Sequence, residues 1–393
     1  MKGYTFKQSL FVSILAQLST LPFIINLNNE INLMSIVFNI LFVLMMGYVF
    51  LPLTFLTFIF KMFNNLFAEV ILIFENILDA TNQFSIIIRV GNIHALVAMI
   101  YYLFLYIFLV SLEKKRGYGF FYLLLLIILF LKQLNPFGAI YFIDVAQGDS
   151  TLIKAPFNSC NVLFDTGGKL MSDITTNNVL PVLKSQGIYE LDYLVLTHSH
   201  YDHIGGAKTI IDNFKVNNLV VSEYNSGVLL NESIKYAKGK GANIIYVSKG
   251  DVFGCNNEYT VLDPGDDHES INNQSIVVRA SIFRKTWLLM GDSELKEFET
   301  GNVDIIKLGH HGSITSITEE LLNQLEPDIA IISVGDNGYG LPSGKVIEMV
   351  NSNGTELFRT DNDNTIIYLD IGEGIFLNTK AYNNNILGKL RIL

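Results

Sequence analysis

The first third of the chain is too apolar to be part of a water-soluble domain. Residues 1–138 hold five acids and eight bases, set between long uncharged runs. A helix needs about 20 apolar residues to cross the hydrocarbon core of a bilayer. Backbone in lipid must also satisfy its own hydrogen bonds, so runs of this length read as spanning helices. Residues 8–27, 31–60 and 84–111 qualify, and 118–134 is shorter but very apolar. Arg89 and His94 interrupt the start of the third run. Segment 64–80 places Glu69, Glu75 and Asp79 among apolar residues and is expected to be an interfacial or re-entrant helix. One apolar run follows another instead of a mature soluble start, which argues against a cleaved leader.

The basic residues give an expected orientation. Lys114, Lys115 and Arg116 form the densest basic cluster and precede the last run. Positive loops stay in the cytoplasm, so the last span would deliver the chain after about residue 136 to the outer face. Lys2, Lys7 and Lys61 also favour the inside, and the loop Asn26–Glu30 has no base.

From Ala139 the texture changes. Short strand-like runs alternate with Gly-, Asn- and Asp-rich turns: 139–145, 150–154, 161–164, 192–196, 218–221, 243–247, 275–280, 286–290, 303–307, 329–334 and 365–369. Helical patterns intervene at 173–186, 206–214, 231–238, 317–325 and 343–352. Strands interleaved with helices imply one layered α/β domain. The chain therefore divides into a membrane region, 1–135, and a second domain, 136–393, whose Asn-rich tail from Tyr382 is expected to be loose. Beyond residue 138 there are 32 acids and 19 bases. That excess excludes a general nucleic-acid binder, which presents a basic surface. Any nucleic-acid contact must be local or carried by cations. Cys160 and Cys255 are the only cysteines. They permit one bridge at most, fix no compartment, and read as small buried hydrophobes.

The chemistry is concentrated in Thr197-His-Ser-His-Tyr-Asp-His-Ile-Gly-Gly206, which follows an apolar strand. His198, His200, Asp202 and His203 are four potential ligands within six residues, and imidazole with carboxylate suits zinc, manganese or iron. The chain has seven histidines, three of them here and two more at His310 and His311. Thr286–Asp292 is a strand ending in Gly-Asp, a place for a carboxylate that bridges two metals. Alone, its commoner meaning is a turn aspartate. Asp304–Ser313 is another strand, ending in the paired histidines.

His198-x-His200-x-Asp202-His203 at a strand end resembles the signature of metallo-β-lactamase-fold hydrolases. The resemblance implies a four-layer αβ/βα sandwich holding one or two metals at its strand ends. By position, His198 and His200 would hold the first metal, and Asp202 and His203 the second. Asp292 would bridge them, and His310 would be a late ligand. Asp165, in Phe164-Asp-Thr-Gly-Gly168, looks like the early aspartate that supports the motif loop from behind. A narrower resemblance is to the ComEC family of competence DNA-uptake membrane proteins. It rests on Phe142-Ile-Asp-Val-Ala-Gln-Gly-Asp-Ser150, Gly309-His-His-Gly-Ser313, Ile332–Gly335 followed by Asn337–Gly340, and Arg359-Thr-Asp361. Residues 13–53 look like the end of that family's polytopic competence region. Three departures stand out. Members are typically about twice as long, Leu341 replaces a frequent histidine, and Ala146 replaces a glycine. His200 is closer to the broad hydrolase pattern, since aspartate is common there in the uptake family.

The resemblance implies a multi-pass cell-membrane protein. Its hydrolase domain would lie outside and use two divalent metal ions, zinc or manganese, to degrade one DNA strand during uptake. Asp202 would orient the attacking water, and His311 would protonate the leaving oxygen or stabilise the phosphorane. The glycine-rich loop 335–344 would offer backbone N–H groups to a phosphate, with Ser313 and Asn273 as lesser polar contacts. Two alternatives stay open. One is a transport or scaffold component with an impaired site; the other is a metallo-hydrolase of a different substrate. A few spans rarely enclose a DNA-wide pore, so other uptake subunits or a homo-oligomer are expected, besides membrane lipid.

Overall fold

The computed structural model describes residues 6–93, 95–114, 135–255, 257–264, 270–294, 297, 299–372, 375–379 and 390–392. Lys115 and Arg116, the run 118–134, His94, His268 and the tail 382–389 lie outside the described residues. Contacts divide the chain into two units, Met1–Lys132 with Lys184–Gly187, and Gln133–Leu183 with Ile188–Leu393.

In the first unit, three helical stretches among the described residues are long and apolar enough to cross a membrane: Phe11–Asn28, Val37–Ile59 and Ala95–Glu113. Their flanks carry large exposed apolar side chains such as Leu27, Tyr48 and Phe58. The run at 84–111 is not helical throughout, as had been expected. Its start is strand β2 (Ile87–Arg89), which pairs antiparallel with β1 (Glu30–Asn32), and helix begins only at Ala95. The reason is Arg89, whose guanidinium lies 3.7 Å from Glu30 across that pair. The helix Asn64–Asn82, with its three acids, is not among the three candidate spans.

The second unit is a sandwich. One sheet contains, in chain order, β3 (Ala139–Phe142), β4 (Thr151–Lys154), β5 (Asn161–Phe164), β6 (Glu190–Leu196), β7 (Lys215–Ser222) and β8 (Asn243–Val247). The other contains β9 (Val252–Gly254), β10 (Glu258–Asp263), β11 (Val277–Ile282), β12 (Lys285–Leu289), β13 (Ile305–Lys307), β14 (Ile329–Ile332) and β15 (Glu356–Arg359). The chain then returns to the first sheet as β16 (Thr365–Leu369), β17 (Ile375–Thr379) and β18 (Leu390–Ile392). The first sheet runs β18-β17-β16-β3-β4-β5-β6-β7-β8 and the second β15-β14-β13-β12-β11-β10-β9. The tail expected to be loose thus ends in a strand, because Leu390 and Ile392 pair with Leu377 and Ile375.

Alternation along the strands builds the layers. On β6, Val195 faces the core between the sheets while Leu194 and Leu196 face outward to helices. On β12, Trp287 and Leu289 face inward and Leu288 outward. Trp287 is fully buried, and its indole N–H donates to the Ile282 carbonyl at 3.1 Å, so no polar group is stranded. Helices Ala207–Asn213 and Val228–Gly239 cover the first sheet, and Glu319–Leu325 and Gly344–Ser352 cover the second. The result is the four-layer arrangement expected from the motif.

The cysteines correct an expectation. Cys160, just before β5, is bonded to Cys255, just after β9, with Cα atoms 6.2 Å apart. Only Cys160 is buried. The bond ties one sheet to the other across 95 residues of sequence, a pairing that sheet topology creates and spacing does not reveal.

Candidate metal centre

The parallel strands β5, β6 and β7 of one sheet and β12, β13 and β14 of the other end at a common rim. Polar loops collect there because carboxyl ends of parallel strands leave a crevice. β6 runs into Thr197–His200 and the short helix Tyr201–Ile204, which carries Asp202 and His203. β12 leads into the loop carrying Asp292, β13 into the one carrying His310 and His311, and β14 into Ser333.

Two triads of donor atoms result. His198, His200 and Asp292 lie within 4.8 Å of one another, and so do Asp202, His203 and His311. Asp292 reaches both: its Oδ2 is 3.7 Å from His198 Nε2 and 3.7 Å from His311 Nε2, and its Oδ1 is 3.2 Å from His203 Nε2. His311 Nε2 lies 3.2 Å from Asp202 Oδ2.

Three imidazoles are oriented by oxygens behind them. His203 Nδ1–H donates to Asp165 Oδ2 at 2.7 Å. His311 Nδ1 lies 2.9 Å from the Ser333 carbonyl, which can only accept, so that nitrogen carries the proton. Thr197 gives its hydroxyl proton to Asp165 Oδ2 at 2.7 Å, leaving its oxygen to accept from His198 Nδ1 at 3.2 Å. In each ring Nε2 is left to face the centre, as metal-ligating histidines are held by their surroundings. Asp165 also takes the Thr197 N–H at 2.9 Å, so it supports the motif loop from behind.

Charge follows the geometry. Burial works against His203 as a cation, but the carboxylates of Asp292 and Asp165 outweigh it and raise the ring well above its ordinary range. His311 is raised in the same way, by Asp292 and Asp202 against burial. Burial and the neighbouring His203 push His198 well down. Burial raises Asp202, but His311 and His203 bring it down to about 2. Asp292 is likewise held low, by His203 and His311 against burial. Buried polar atoms remain without a hydrogen bond among the described residues, including His203 Nε2 and Asp292 Oδ1. Unpartnered buried donors and acceptors are costly, and a divalent cation among imidazole and carboxylate atoms satisfies them. The residues present therefore fit the metals the sequence suggested.

His198, His200, Asp202, His203 and Asp292 are brought together. His310 is not: its Nδ1 lies 2.7 Å from Glu294 and its ring is 30% exposed, whereas His311 is 3% exposed. Successive residues diverge because both sit at positive φ, 45° and 52°. Adjacent identical residues carry no signal for which ring points inward. Loop 335–344 also differs from its expected use. Asn337 Oδ1 accepts the Tyr339 and Leu341 N–H groups at 3.0 and 3.1 Å, so those two are already taken. Ser313 pairs with Thr315 at 2.9 Å, and Asn273 Oδ1 accepts the Glu294 N–H at 2.9 Å. Sequence reasoning missed Ser333, Glu294, Asp149 and Lys307. Asp149 and Ser333 had a visible signal, their places in the Phe142–Ser150 and Ile332–Gly335 segments.

Comparison with known proteins gives two regions of likeness. The profile of the metallo-beta-lactamase superfamily matches residues 143–336, and the profile described as competence protein matches residues 2–115. The chain is 30% identical over 402 residues to ComE operon protein 3 of Bacillus subtilis, covering 92% of this chain and 51% of that protein. It is 34% identical over 233 residues to Recombination protein 2 of Haemophilus influenzae, covering 56% and 27%. It is 30% identical over 233 residues to Competence protein ComA of Neisseria gonorrhoeae, covering 57% and 31%. The chain thus spans about half the length of the first of these relatives and about a third or less of the other two.

Proposed function

Since the chain belongs to the ComEC family of competence proteins, we propose that it is a membrane-anchored, metal-dependent phosphodiesterase that degrades one strand of DNA during uptake. The observation that carries this reading is Asp292, one buried carboxylate within reach of donors from both triads. Two divalent ions, zinc or manganese, would there activate a water and offset charge on a phosphodiester.

The protein's own groups supply the rest. His198, His200, His203, Asp202, Asp292 and His311 hold the ions in this reading, His311 taking the ligand place that His310 was expected to fill. The proton on His311 Nδ1 is committed to the Ser333 carbonyl, which favours ligation over proton donation. Asp202, a third exposed at the rim, is placed to orient the attacking water. Its carboxyl stays ionised down to about pH 2. The acidity of this unit leaves phosphate attraction to the bound cations rather than to a basic surface.

The membrane region anchors the chain through the three apolar helices, and the hydrolase domain lies on the outer face. Two observations support that side: the positive cluster at Lys114–Arg116 and the Cys160–Cys255 bond, which persists in oxidising compartments. Other uptake subunits or further copies of the chain complete any DNA path.

The test is degradation of labelled single- and double-stranded DNA by the full-length protein in detergent, with manganese and then zinc. Metal-dependent degradation of labelled DNA by wild type, lost in His198→Ala, is the expected result. A metal-loaded wild-type protein inert on both substrates would sink the nuclease reading in favour of a transport or scaffold role.

A further inference from the structure

We propose that Asp149 is an additional ligand on the His203 side of the metal centre, and that Lys307 is the positioning residue that holds it there. This rests on the metal-centre reading above.

Asp149 lies in the turn between β3 and β4, well outside the histidine motif, and its side chain is 2% exposed. Its backbone is clamped. The Asp149 N–H donates to the Asp202 carbonyl at 3.2 Å, and the Asp149 carbonyl accepts from the Gly167 N–H at 2.8 Å. Gly148 allows this approach: at φ 144° it sits so near that a Cβ would lie 2.4 Å from the Asp202 carbonyl oxygen. The turn is thus fastened to the loop that carries Asp202 and to the loop that carries Asp165.

The two carboxylate oxygens have different fates. Oδ2 receives the Lys307 ammonium at 2.5 Å, and both side chains are buried. Oδ1 has no hydrogen bond among the described residues, and it shares that condition with His203 Nε2 and Asp292 Oδ1. One ligand atom from each of Asp149, His203 and Asp292 lies within 4.8 Å of the others. His203 Nδ1 is already given to Asp165, so Nε2, which faces Asp292 Oδ1 at 3.2 Å, is the nitrogen left for a metal. The Asp149–Lys307 ion pair uses only Oδ2, and Asp149 Oδ1 stays buried without a hydrogen bond beside that His203–Asp292 pair. A cation between them satisfies all three at once.

Lys307 makes the arrangement tolerable. Asp149, Asp165, Asp202 and Asp292 crowd four carboxylates around one centre. A fixed ammonium neutralises Asp149 and pins one of its oxygens, which leaves the other without a hydrogen bond. Lys307 is itself set by strand register, paired with Leu289 on one side and Ile331 on the other.

The experiment is manganese binding to the full-length protein in detergent after chelator stripping, read as stoichiometry, dissociation constants and the metal-induced rise in melting temperature. Asp149→Asn keeps an acceptor for Lys307 but loses the charge. Its metal-free melting temperature should fall, because Lys307 keeps a buried charge without its counter-charge, and one of two manganese sites should weaken more than about tenfold, which shrinks the metal-induced rise. Wild-type affinity at both sites would overturn the proposal. Asp292→Asn is the control for the underlying reading. If it too binds two ions like wild type, the metal centre itself is wrong; if it alone loses them, only the role of Asp149 fails. Should Asp149→Asn not fold, Lys307→Gln decides. It should weaken the same site with rescue by Lys307→Arg, and unchanged affinity in Lys307→Gln would exclude the positioning role.

Discussion

The sheet built around β5, β6 and β7 delivers its donors as one continuous segment, His198 to His203, whereas the sheet built around β12, β13 and β14 delivers them one strand end at a time. The first set shares a single turn and stands or falls with it. The second set is placed by register: Leu289, Lys307 and Ile331 pair side by side, which aligns Asp292, His311 and Ser333 beyond them. Fewer donors come from the second sheet, yet they are the shared ones. Asp292 reaches three imidazoles, while His200 makes its only side-chain hydrogen bond among the described residues to His198.

That asymmetry predicts unequal losses. Asp292→Ala should abolish binding at both metal positions and lower DNA degradation by more than about a hundredfold, beyond what loss of a supporting group costs. His200→Ala should weaken one position and leave the other. Metal stoichiometry by elemental analysis separates the two variants. Equal losses would break the comparison, because the sheets would then contribute interchangeably.

Proton release sharpens it. His203 from the first sheet and His311 from the second are both raised, so the carboxylates around them favour the charged rings in the metal-free protein. Ligands must be deprotonated to bind, so metal affinity should rise with pH. His198, pushed low by burial, should release none. Calorimetry in buffers of different ionisation enthalpy should detect proton release on metal binding in wild type, and less of it in His311→Ala.

This asymmetry also governs how much could be read from the sequence. The continuous turn was legible because its donors are neighbours in the chain, and Asp165 was legible as the end of the strand before it. The alternating buried positions of β6 and β12 revealed a layered fold for the same local reason. The choice between His310 and His311 was not legible, since it depends on backbone at φ 45° and 52° rather than on composition. Lys307 and the Cys160–Cys255 bond depend on how distant strands pair, and no local pattern encodes that. Strands β9, β10, β15, β17 and β18 escaped notice as well; β9 and β18 are three residues long, and β10 and β15 begin and end on charged residues.

Each sheet also buries one lysine, and the pair is a smaller test of the same contrast. Lys307 on β13 has Asp149 at 2.5 Å. Lys154 on β4 is 1% exposed, has no ion pair among the described residues, and burial brings its ammonium down to about 8. With the folded value below the unfolded one, the unfolded chain binds more protons between about pH 8 and 10.5. The penalty is therefore fully present below pH 8 and fades as pH rises through that window. Lys154→Met should stabilise the protein at pH 7 by on the order of 3 kcal/mol, seen as a higher melting temperature, and the gain should shrink toward pH 10. Lys307→Met should lower it. A stabilising Lys307→Met would show that the second sheet's lysine is as dispensable as the first's.

The smallest effect is expected where loops of the two sheets touch. Ala146, after β3, sits at φ 58°, and its N–H donates to Asp144 Oδ1 at 2.9 Å. Gly335, after β14, packs so closely that a Cβ there would lie 2.4 Å from the Ala146 carbonyl carbon. A left-handed backbone costs an L-residue roughly 1–2 kcal/mol, and glycine removes that cost while loosening the unfolded chain by roughly 0.4–1 kcal/mol. Ala146→Gly should therefore stabilise by about 0.5–1 kcal/mol, seen as a small rise in melting temperature with manganese affinity unchanged. Gly335→Ala should do the reverse and more strongly, because the contact it fills is backbone on backbone and neither sheet can yield without disturbing the strand end behind it. If Gly335→Ala is neutral, the two loops move independently, and the second sheet's donors are held by β14 alone rather than by contact with the first.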